Sequence, residues 1–265
     1  MIRDNSDLSW AQWGERHPYY AVLTQEKFRQ ENLTDALKSE FFESGRTHIE
    51  KVLRTAEIHF GSLLSRKSAL DFGCGVGRLI IPLAQIFATV TGVDISPAML
   101  EEARANCKRR QIENVDLVFS DDILSRVKGR FDFIHSCFVL QHIPVARGEH
   151  ILSRLIELLN SNGILAVQFP LARRASIVRK SVHFLRRNIV PISWLVNVSQ
   201  GKPWNEPFMQ MNPYNMNRIL DVFARHQTNQ AFLELTEEGS FLSAYVLAKK
   251  TARAGEPSSS GGPIL

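Results

Sequence analysis

Acidic residues follow three successive segments whose apolar and β-branched residues predict buried strands. Asp71 lies near the end of the first segment, Asp94 ends the second, and Asp121-Asp122 follow the third. Because the carboxyl ends of parallel strands meet at one edge of a sheet, where ligands of such folds bind, we expect these carboxylates to surround one ligand. Asp94 could accept both hydroxyls of a ribose, and Asp121 or Asp122 could accept from the amino group of an adenine.

The segment after the first strand, Gly73-Cys74-Gly75-Val76-Gly77, is a glycine turn that leads into a helix. Its glycines allow a sharp turn and a close approach of the backbone to a ligand. A dinucleotide site has the spacing GxGxxG and places a pyrophosphate at the helix N-terminus. Here the spacing is GxGxG and Asp71 precedes it. A carboxylate there would repel a pyrophosphate but suits a ligand with ammonium and sulfonium charges.

The elements that must position these residues alternate between strands and helices, which predicts βαβ units and a parallel sheet. Strands are predicted at 68–72, 89–93, 115–119, 131–137 and 164–169. Helices are predicted at 45–64, 78–87, 97–110, 145–159 and 214–226, with Ser96 as an N-cap before Pro97. Segments 231–235 and 241–247 flank a turn containing Gly239, so the last strand is expected to pair antiparallel with its predecessor.

The predicted fold is therefore α/β, with a doubly wound, mostly parallel seven-stranded sheet and an antiparallel final strand. Residues 1–45 are expected to form a helical N-terminal cap, and residues 46–250 a Rossmann-like domain. An insertion at 170–213 interrupts that domain, and the Ser-, Gly- and Pro-rich tail at 251–265 is expected to be disordered.

Composition limits the function classes. The 265 residues contain no apolar run long enough to cross a membrane and no apolar secretory signal, so a cytoplasmic protein is expected. The 3 cysteines are far apart and form no metal-binding pair, and no carboxylate cluster suits a metal. The net charge of +5 is local, because no acidic residue occurs between Glu157 and Glu206. A nucleic-acid binder more often spreads basic charge over a whole face.

Three segments together resemble class I S-adenosylmethionine-dependent methyltransferases. They are the glycine loop at 71–77, the acid-containing segment Val93-Asp94-Ile95-Ser96-Pro97-Ala98-Met99-Leu100, and the fourth strand at 131–134 with the following Leu140-Gln141-His142-Ile143. The resemblance covers about residues 45 to 170, and the closing hairpin also fits the family. It implies S-adenosylmethionine as cofactor.

The resemblance also implies roles for individual residues. The three glycines would pack against the methionine part of the cofactor, Asp94 would hold the ribose, and Ile95 and Met99 would flank the adenine. Residues 138–141 would lie near the methyl group. The implied cofactor site comprises Asp71, Gly73, Cys74, Gly75, Gly77, Asp94, Ile95, Met99, Asp121, Asp122, Ile123, Phe138 and Gln141.

Methyl transfer is an in-line displacement that requires alignment of the acceptor and exclusion of water. An oxygen acceptor of high pKa also needs a base. His142 follows the fourth strand at the ligand edge and is the candidate for this base, because the usual pKa of histidine suits proton removal near neutrality. The alternative is a histidine that only hydrogen-bonds a loop or the N-terminal cap.

The cap and the insertion supply candidate substrate-binding residues. By resemblance, Tyr19 and Tyr20 of the cap could close over the site, or could simply pack on the core. Arg46 could reach the cofactor carboxylate, or could be a surface arginine. The basic and apolar segment 173–187, with Arg173 and Arg174, could form a lid that contacts an anionic or amphipathic acceptor, or could be an ordinary solvated helix pair.

These residues predict a methyltransferase whose acceptor is a small molecule, most simply through an oxygen of a hydroxyl or carboxyl group on a metabolite, glycan or lipid-like substrate. N-methylation of an amine or protein, which needs less help from a base, is a second hypothesis. A non-catalytic, cofactor-binding scaffold is a third. A nucleic-acid substrate is disfavoured, because the segment after the fourth strand lacks an Asn-Pro-Pro-Tyr-type pattern.

Overall fold

Seven strands form one sheet in the order β3-β2-β1-β4-β5-β7-β6. The computed structural model describes residues 6–61, 65–174, 185–186 and 190–251. The strands are β1 (Ser68–Phe72), β2 (Thr89–Asp94), β3 (Val115–Phe119), β4 (Phe131–Ser136), β5 (Leu159–Arg173), β6 (Gln230–Glu238) and β7 (Phe241–Lys249). The first five pair in parallel, and β7 pairs antiparallel with both β5 and β6. The predicted mostly parallel sheet with an antiparallel final strand is confirmed.

The helices cover both faces of this sheet, as expected for a doubly wound fold. In chain order they are α1 (Ser6–Arg16), α2 (Pro18–Val22), α3 (Asp35–Phe60), α4 (Ile80–Ala84), α5 (Pro97–Arg109), α6 (Val145–Glu157), α7 (Val190–Ser199) and α8 (Met216–Arg225). Residues of α1 to α5 form the core on one face, and α6 and α8 bury their apolar residues on the other.

The α6 helix shows how the sequence dictates this layering. Its apolar residues recur at helical spacing, so Ile151, Leu152, Leu155 and Ile156 share one stripe and are all buried against the sheet. The β4 strand lies at the centre, and every one of its residues is buried. Because both of its faces are covered, its polar residues Asp132, His135 and Ser136 are hydrogen-bonded within the protein.

Local signals set several helix starts. The Ser96 hydroxyl accepts from the N–H of Met99, which confirms the predicted N-cap of α5. The long α3 begins at a cap that the sequence analysis overlooked, because the Thr34 hydroxyl accepts from the N–H of Leu37. The helix therefore runs through the predicted boundary between cap and core at residue 45.

The cap and the insertion contact each other beside the core. Arg29 donates to Glu206 at 3.1 Å in a buried ion pair, and Arg16 donates to the carbonyl of Asn205 at 2.9 Å. Residues 175–184 and 187–189 of the predicted insertion, and 252–265 of the predicted tail, lie outside the described residues. Among the described helices, none has the length and apolar character needed to cross a bilayer.

Candidate active site

A cavity of about 790 Å³ opens at the carboxyl edge of the sheet. Its floor is the glycine loop and the ends of β2 and β4, and α1 and α2 of the N-terminal cap form its roof. Of the predicted cofactor residues, those that line it are Gly73, Gly75, Asp94, Ile95, Met99, Asp122 and Phe138. We call it the cofactor cavity.

Backbone conformation explains the glycines of the loop. Gly73 has φ of 75° and Gly75 has φ of 52°, values that favour glycine over residues with a side chain. A Cβ atom on Gly73 would lie 2.2 Å from Val139, and one on Gly75 would lie 2.7 Å from Val22. At these two positions the loop therefore has no room for a side chain, and its backbone forms part of the cavity wall.

Asp94 joins the glycine loop to the start of α5. Its carboxylate accepts from the N–H of Gly75 at 2.8 Å and from the N–H of Ser96 at 2.9 Å. Burial nonetheless raises the pKa of Asp94 to about 6, and the two N–H donors only partly offset this. The carboxylate is thus held in place, faces the cavity, and retains further lone pairs for a ligand.

Asp122 lies at the opposite end of the cofactor cavity and is part of an ion-pair bridge. Arg147 of α6 contacts Asp122 at 2.6 Å and Asp7 of α1 at 2.8 Å. Burial opposes the charged form of Arg147, but the two carboxylates raise its pKa above the usual value. The bridge ties the cap to the core across the mouth of the cavity.

His142 lines the cofactor cavity, but its contacts favour a neutral ring. Its Nδ1 lies 2.8 Å from the carbonyl oxygen of Gln210, so Nδ1 carries the proton, and its Nε2 lies 3.1 Å from the amide nitrogen of Gln141. Burial lowers the pKa of His142 to about 4. The ring also packs on Trp10 at 4.6 Å between centroids. These contacts match the loop-bonding alternative better than a general base.

Asp71 is not among the residues that line the cofactor cavity, and the contact of its carboxylate with the ligand stays a prediction. It is buried beneath the loop, where it lies 2.8 Å from Nδ1 of His135. The two residues are register partners on β1 and β4, and neighbouring strands place such pairs on the same face. Nε2 of His135 in turn lies 2.9 Å from the Tyr245 hydroxyl and 3.1 Å from Nε2 of His48.

Several other predicted site residues lie outside the cofactor cavity. Cys74 is buried and burial raises its pKa, Gly77 packs near Ala103, and the Asp121 carboxylate accepts from Ser125. Ile123 is 55% exposed, and the carbonyl of Gln141 accepts from the N–H of Asn212.

The predicted substrate residues are not brought to the cofactor cavity. Tyr19 is buried and donates to Glu102 and Asn106, and Tyr20 packs beneath the guanidinium of Arg29. Arg46 pairs with Glu43 and Glu50 on the exposed side of α3. Arg173 packs over the ring of Phe241, and Arg174 pairs with Glu237. Because most of 173–187 is not described, its contact with an anionic acceptor stays a prediction.

The sequence analysis missed several residues of the site. Trp10, Val22, Ser120 and Arg147 line the cofactor cavity, and none belongs to a motif. A lone arginine in an amphipathic helix carries no sequence signal. The aromatic-rich cap was a signal for Trp10, but it could not show which ring meets the ligand.

A second cavity adjoins the first on the face that α3 covers. Cys137 and Phe138 line both cavities, while His48, Gln168 and Tyr245 line only the second. In the described part of the chain, no cluster of three or more His, Cys, Asp or Glu side chains could hold a metal ion.

Comparison with known proteins shows that the central segment of the chain is similar to methyltransferases. Residues 69–163 match the sequence model of a family described as a methyltransferase domain. Trans-aconitate 2-methyltransferase of Deinococcus radiodurans is 41% identical over 105 residues, which are 38% of this chain and 37% of that protein. Magnesium-protoporphyrin O-methyltransferase of Synechocystis is 35% identical over 96 residues, which are 36% of this chain and 42% of that protein. The aligned stretch thus spans less than half of these relatives.

Solved structures extend the similarity to the whole fold. Magnesium protoporphyrin IX methyltransferase from Synechocystis PCC 6803, crystallised with bound SAM, superposes with a TM-score of 0.59 at 17% sequence identity. The match covers 95% of this chain and 100% of that one. At this identity the similarity establishes a shared fold.

Proposed function

Because residues 69–163 match a family described as a methyltransferase domain, we propose that the chain is a class I S-adenosylmethionine-dependent methyltransferase that transfers a methyl group from S-adenosylmethionine to an oxygen of a small molecule. The observation that carries the proposal is the cofactor cavity, in which a glycine loop, the Asp94 carboxylate and Asp122 surround one space.

The residues present fit this cofactor. The loop has no room for a Cβ at Gly73 or Gly75, so its backbone can approach a ligand closely. Asp94 has lone pairs left for two ribose hydroxyls, because each carboxylate oxygen accepts one backbone N–H. Apolar Ile95 and Met99 line the same end of the cavity and suit an adenine ring.

Each group of residues would have a distinct task. The bound cofactor supplies a methyl group on a sulfonium, which needs no metal or redox partner. Asp94 would hold the ribose, and Asp122 and Ser120 would meet the polar edge of the adenine. Trp10 and Val22, which come from the cap, would exclude water from the cavity.

An oxygen acceptor is supported by the name of one relative, magnesium-protoporphyrin O-methyltransferase. It is also supported by a buried carboxylate–imidazole pair, Asp71 and His135, that lies beside the second cavity. A hydroxyl acceptor requires a group of this kind to take its proton.

The test is a calorimetric titration of the protein with S-adenosylmethionine and with S-adenosylhomocysteine. Asp94→Asn removes the charge that would hold the ribose, and we expect affinity to fall by about 2–3 kcal/mol, or 30- to 150-fold. Asp116→Asn is the matched control, because Asp116 is an exposed residue of the neighbouring strand and does not line the cofactor cavity.

Micromolar binding that Asp94→Asn weakens and Asp116→Asn preserves would support the proposal. If the wild-type protein binds neither compound, or if both variants bind equally well, the cofactor assignment fails.

A further inference from the structure

The second cavity meets the cofactor cavity at two residues, Cys137 and Phe138, which line both. Phe138 has φ of 61°, a left-handed conformation that is costly for a bulky residue. Its N–H donates to Oε1 of Gln168 at 3.1 Å, and the Cys137 thiol donates to the same oxygen at 3.2 Å. The two hydrogen bonds to Gln168 hold Phe138 in this strained conformation between the two cavities.

A buried hydrogen-bonded group lies against this cavity. Asp71 contacts Nδ1 of His135, and Nε2 of His135 contacts both the Tyr245 hydroxyl and Nε2 of His48. His135 is fully buried, whereas Tyr245 and His48 line the second cavity. A molecule in the cavity would therefore reach His135 through Tyr245 or His48.

This group can hold a proton in either of two states. With Asp71 accepting from Nδ1–H, a neutral His135 presents a single Nε2 lone pair, which accepts from the Tyr245 hydroxyl. A protonated His135 presents a single Nε2–H, which the Tyr245 oxygen or an unprotonated Nε2 of His48 accepts. Rotation of the Tyr245 hydroxyl thus reverses the direction of its hydrogen bond to His135, and the bond is kept in both states. Such reversibility is what a proton acceptor needs.

The hydrogen-bonded group around His135 contains one carboxylate and one neutral imidazole. Asp71 offers a carboxylate at 2.8 Å. Burial, the neighbouring His135 and then Arg78 lower the pKa of His48 to about 2, so His48 stays neutral. Arg78 is itself buried, and its Nε has no hydrogen-bond partner within the described part of the chain. Its positive charge balances the negative charge of Asp71.

The lining of the cavity indicates the class of its occupant. Val52 and Leu247 provide apolar walls, and the exposed Lys51–Glu234 ion pair lies at the rim. The buried Thr236 hydroxyl lines the cavity and has no hydrogen-bond partner among the described residues. These features suit a compact ring with polar substituents. A carboxylic acid is already ionised at neutral pH, whereas a phenol has a pKa of about 10 and needs a proton acceptor.

We propose that the second cavity binds the methyl acceptor, a small phenol, and that His135 takes the phenolic proton through the Tyr245 hydroxyl. The acceptor O–H bond breaks as its proton passes to Tyr245, and the Tyr245 proton passes to Nε2 of His135. The acceptor oxygen forms a bond to the methyl carbon, and the carbon–sulfur bond of the cofactor breaks. The positive charge moves from the sulfonium to the imidazolium, where Asp71 stabilises it. This assignment rests on the proposed function.

The test uses 4-nitrophenol, whose phenolate absorbs visible light, with S-adenosylhomocysteine present so that no turnover occurs. The pH is set where the free probe is protonated and colourless. We expect the wild-type protein to give a saturable phenolate signal. Tyr245→Phe removes the hydroxyl that relays the proton, and we expect the signal to weaken about tenfold or more. His135→Gln should have the same effect.

Tyr214→Phe is the matched control, because it deletes another buried phenolic hydroxyl, on the opposite face of the sheet. It should retain the phenolate signal. The acceptor assignment is overturned if wild type gives no saturable signal, or if Tyr245→Phe gives the same signal as wild type. Titration with S-adenosylhomocysteine alone separates the two proposals. If that compound binds and the probe is not ionised, only the acceptor assignment falls, whereas failure of that compound to bind removes both.

Discussion

Asp94→Asn is expected to stabilise the ligand-free protein at neutral pH while it weakens cofactor binding. Burial raises the pKa of Asp94 from its ordinary value of 3.8 to about 6, even though Ser96 and Gly75 donate to it. This difference in the pKa of Asp94 corresponds to about 3 kcal/mol in the free energy of unfolding. Because the side chain faces an open cavity, solvent screening makes this figure an upper bound.

The pH dependence of the free energy of unfolding follows from proton binding by Asp94. Between pH 3.8 and about 6 the folded protein keeps the Asp94 proton that the unfolded chain has released. The free energy of unfolding of wild type therefore falls as pH rises through this interval, and this contribution is constant above it. Asparagine does not titrate. The stability of the variant relative to wild type should thus rise by up to about 3 kcal/mol across the interval.

A loss of stability that does not depend on pH opposes this gain. The asparagine oxygen can accept from only one of the two N–H groups, which costs about 1–2 kcal/mol. The net expectation is a variant about 1 kcal/mol more stable than wild type at pH 7 and less stable than wild type near pH 4.

Urea denaturation of wild type, Asp94→Asn and Asp116→Asn over a pH series measures these differences. In the same series, the affinity of wild type for S-adenosylmethionine should fall about tenfold per unit below pH 6. A difference between Asp94→Asn and wild type that stays constant with pH would refute the reasoning, because it would mean that Asp94 titrates normally in the folded protein.

Three further predictions concern the cofactor cavity. In urea denaturation, Gly75→Ala should destabilise the fold by about 1–3 kcal/mol more than Gly129→Ala. Both glycines have positive φ, but only the methyl group added at Gly75 would contact a neighbouring side chain. Arg147→Gln removes the ion pair between α6 and the cap, so it should speed both proteolysis in α1 and dissociation of S-adenosylhomocysteine. The control Arg154→Gln, on the same helix, should change neither rate. In an NMR titration His142 should remain neutral until pH falls to about 4, and a midpoint near neutrality would restore it as a candidate base.

The sheet could be predicted because each strand has its own local signal. Every predicted strand is present, and the main errors are in length. β5 extends to Arg173 because it pairs with the long β7, a tertiary contact that no local window contains. The α3 helix runs straight through Gly45, where the sequence suggested a start. That glycine is required because a Cβ there would lie 2.2 Å from the carbonyl oxygen of Arg78.

Site residues at the ends of strands could be predicted from the sequence. Site residues inside strands could not, because their contacts depend on how neighbouring strands pair. Asp94 is the last residue of β2, so its place at the sheet edge follows from the strand alone. Asp71 is within β1, and its direction depends on which face the strand presents. Only the pairing of Asp71 with His135 across β1 and β4 shows that its carboxylate meets an imidazole.

Asp94 lines the cofactor cavity and Asp71 belongs to the group beside the second cavity, and this difference limits how far similarity to other proteins can assign function. The matched segment 69–163 includes Asp94 and most of the cofactor cavity, so relatives can inform the cofactor. It also includes Asp71 and His135. It does not include His48 on α3 or Tyr245 on β7, through which those two residues would reach an acceptor. Relatives that align only over the central segment can therefore support the type of atom that is methylated, but the identity of the acceptor must be argued from residues that the alignment leaves out.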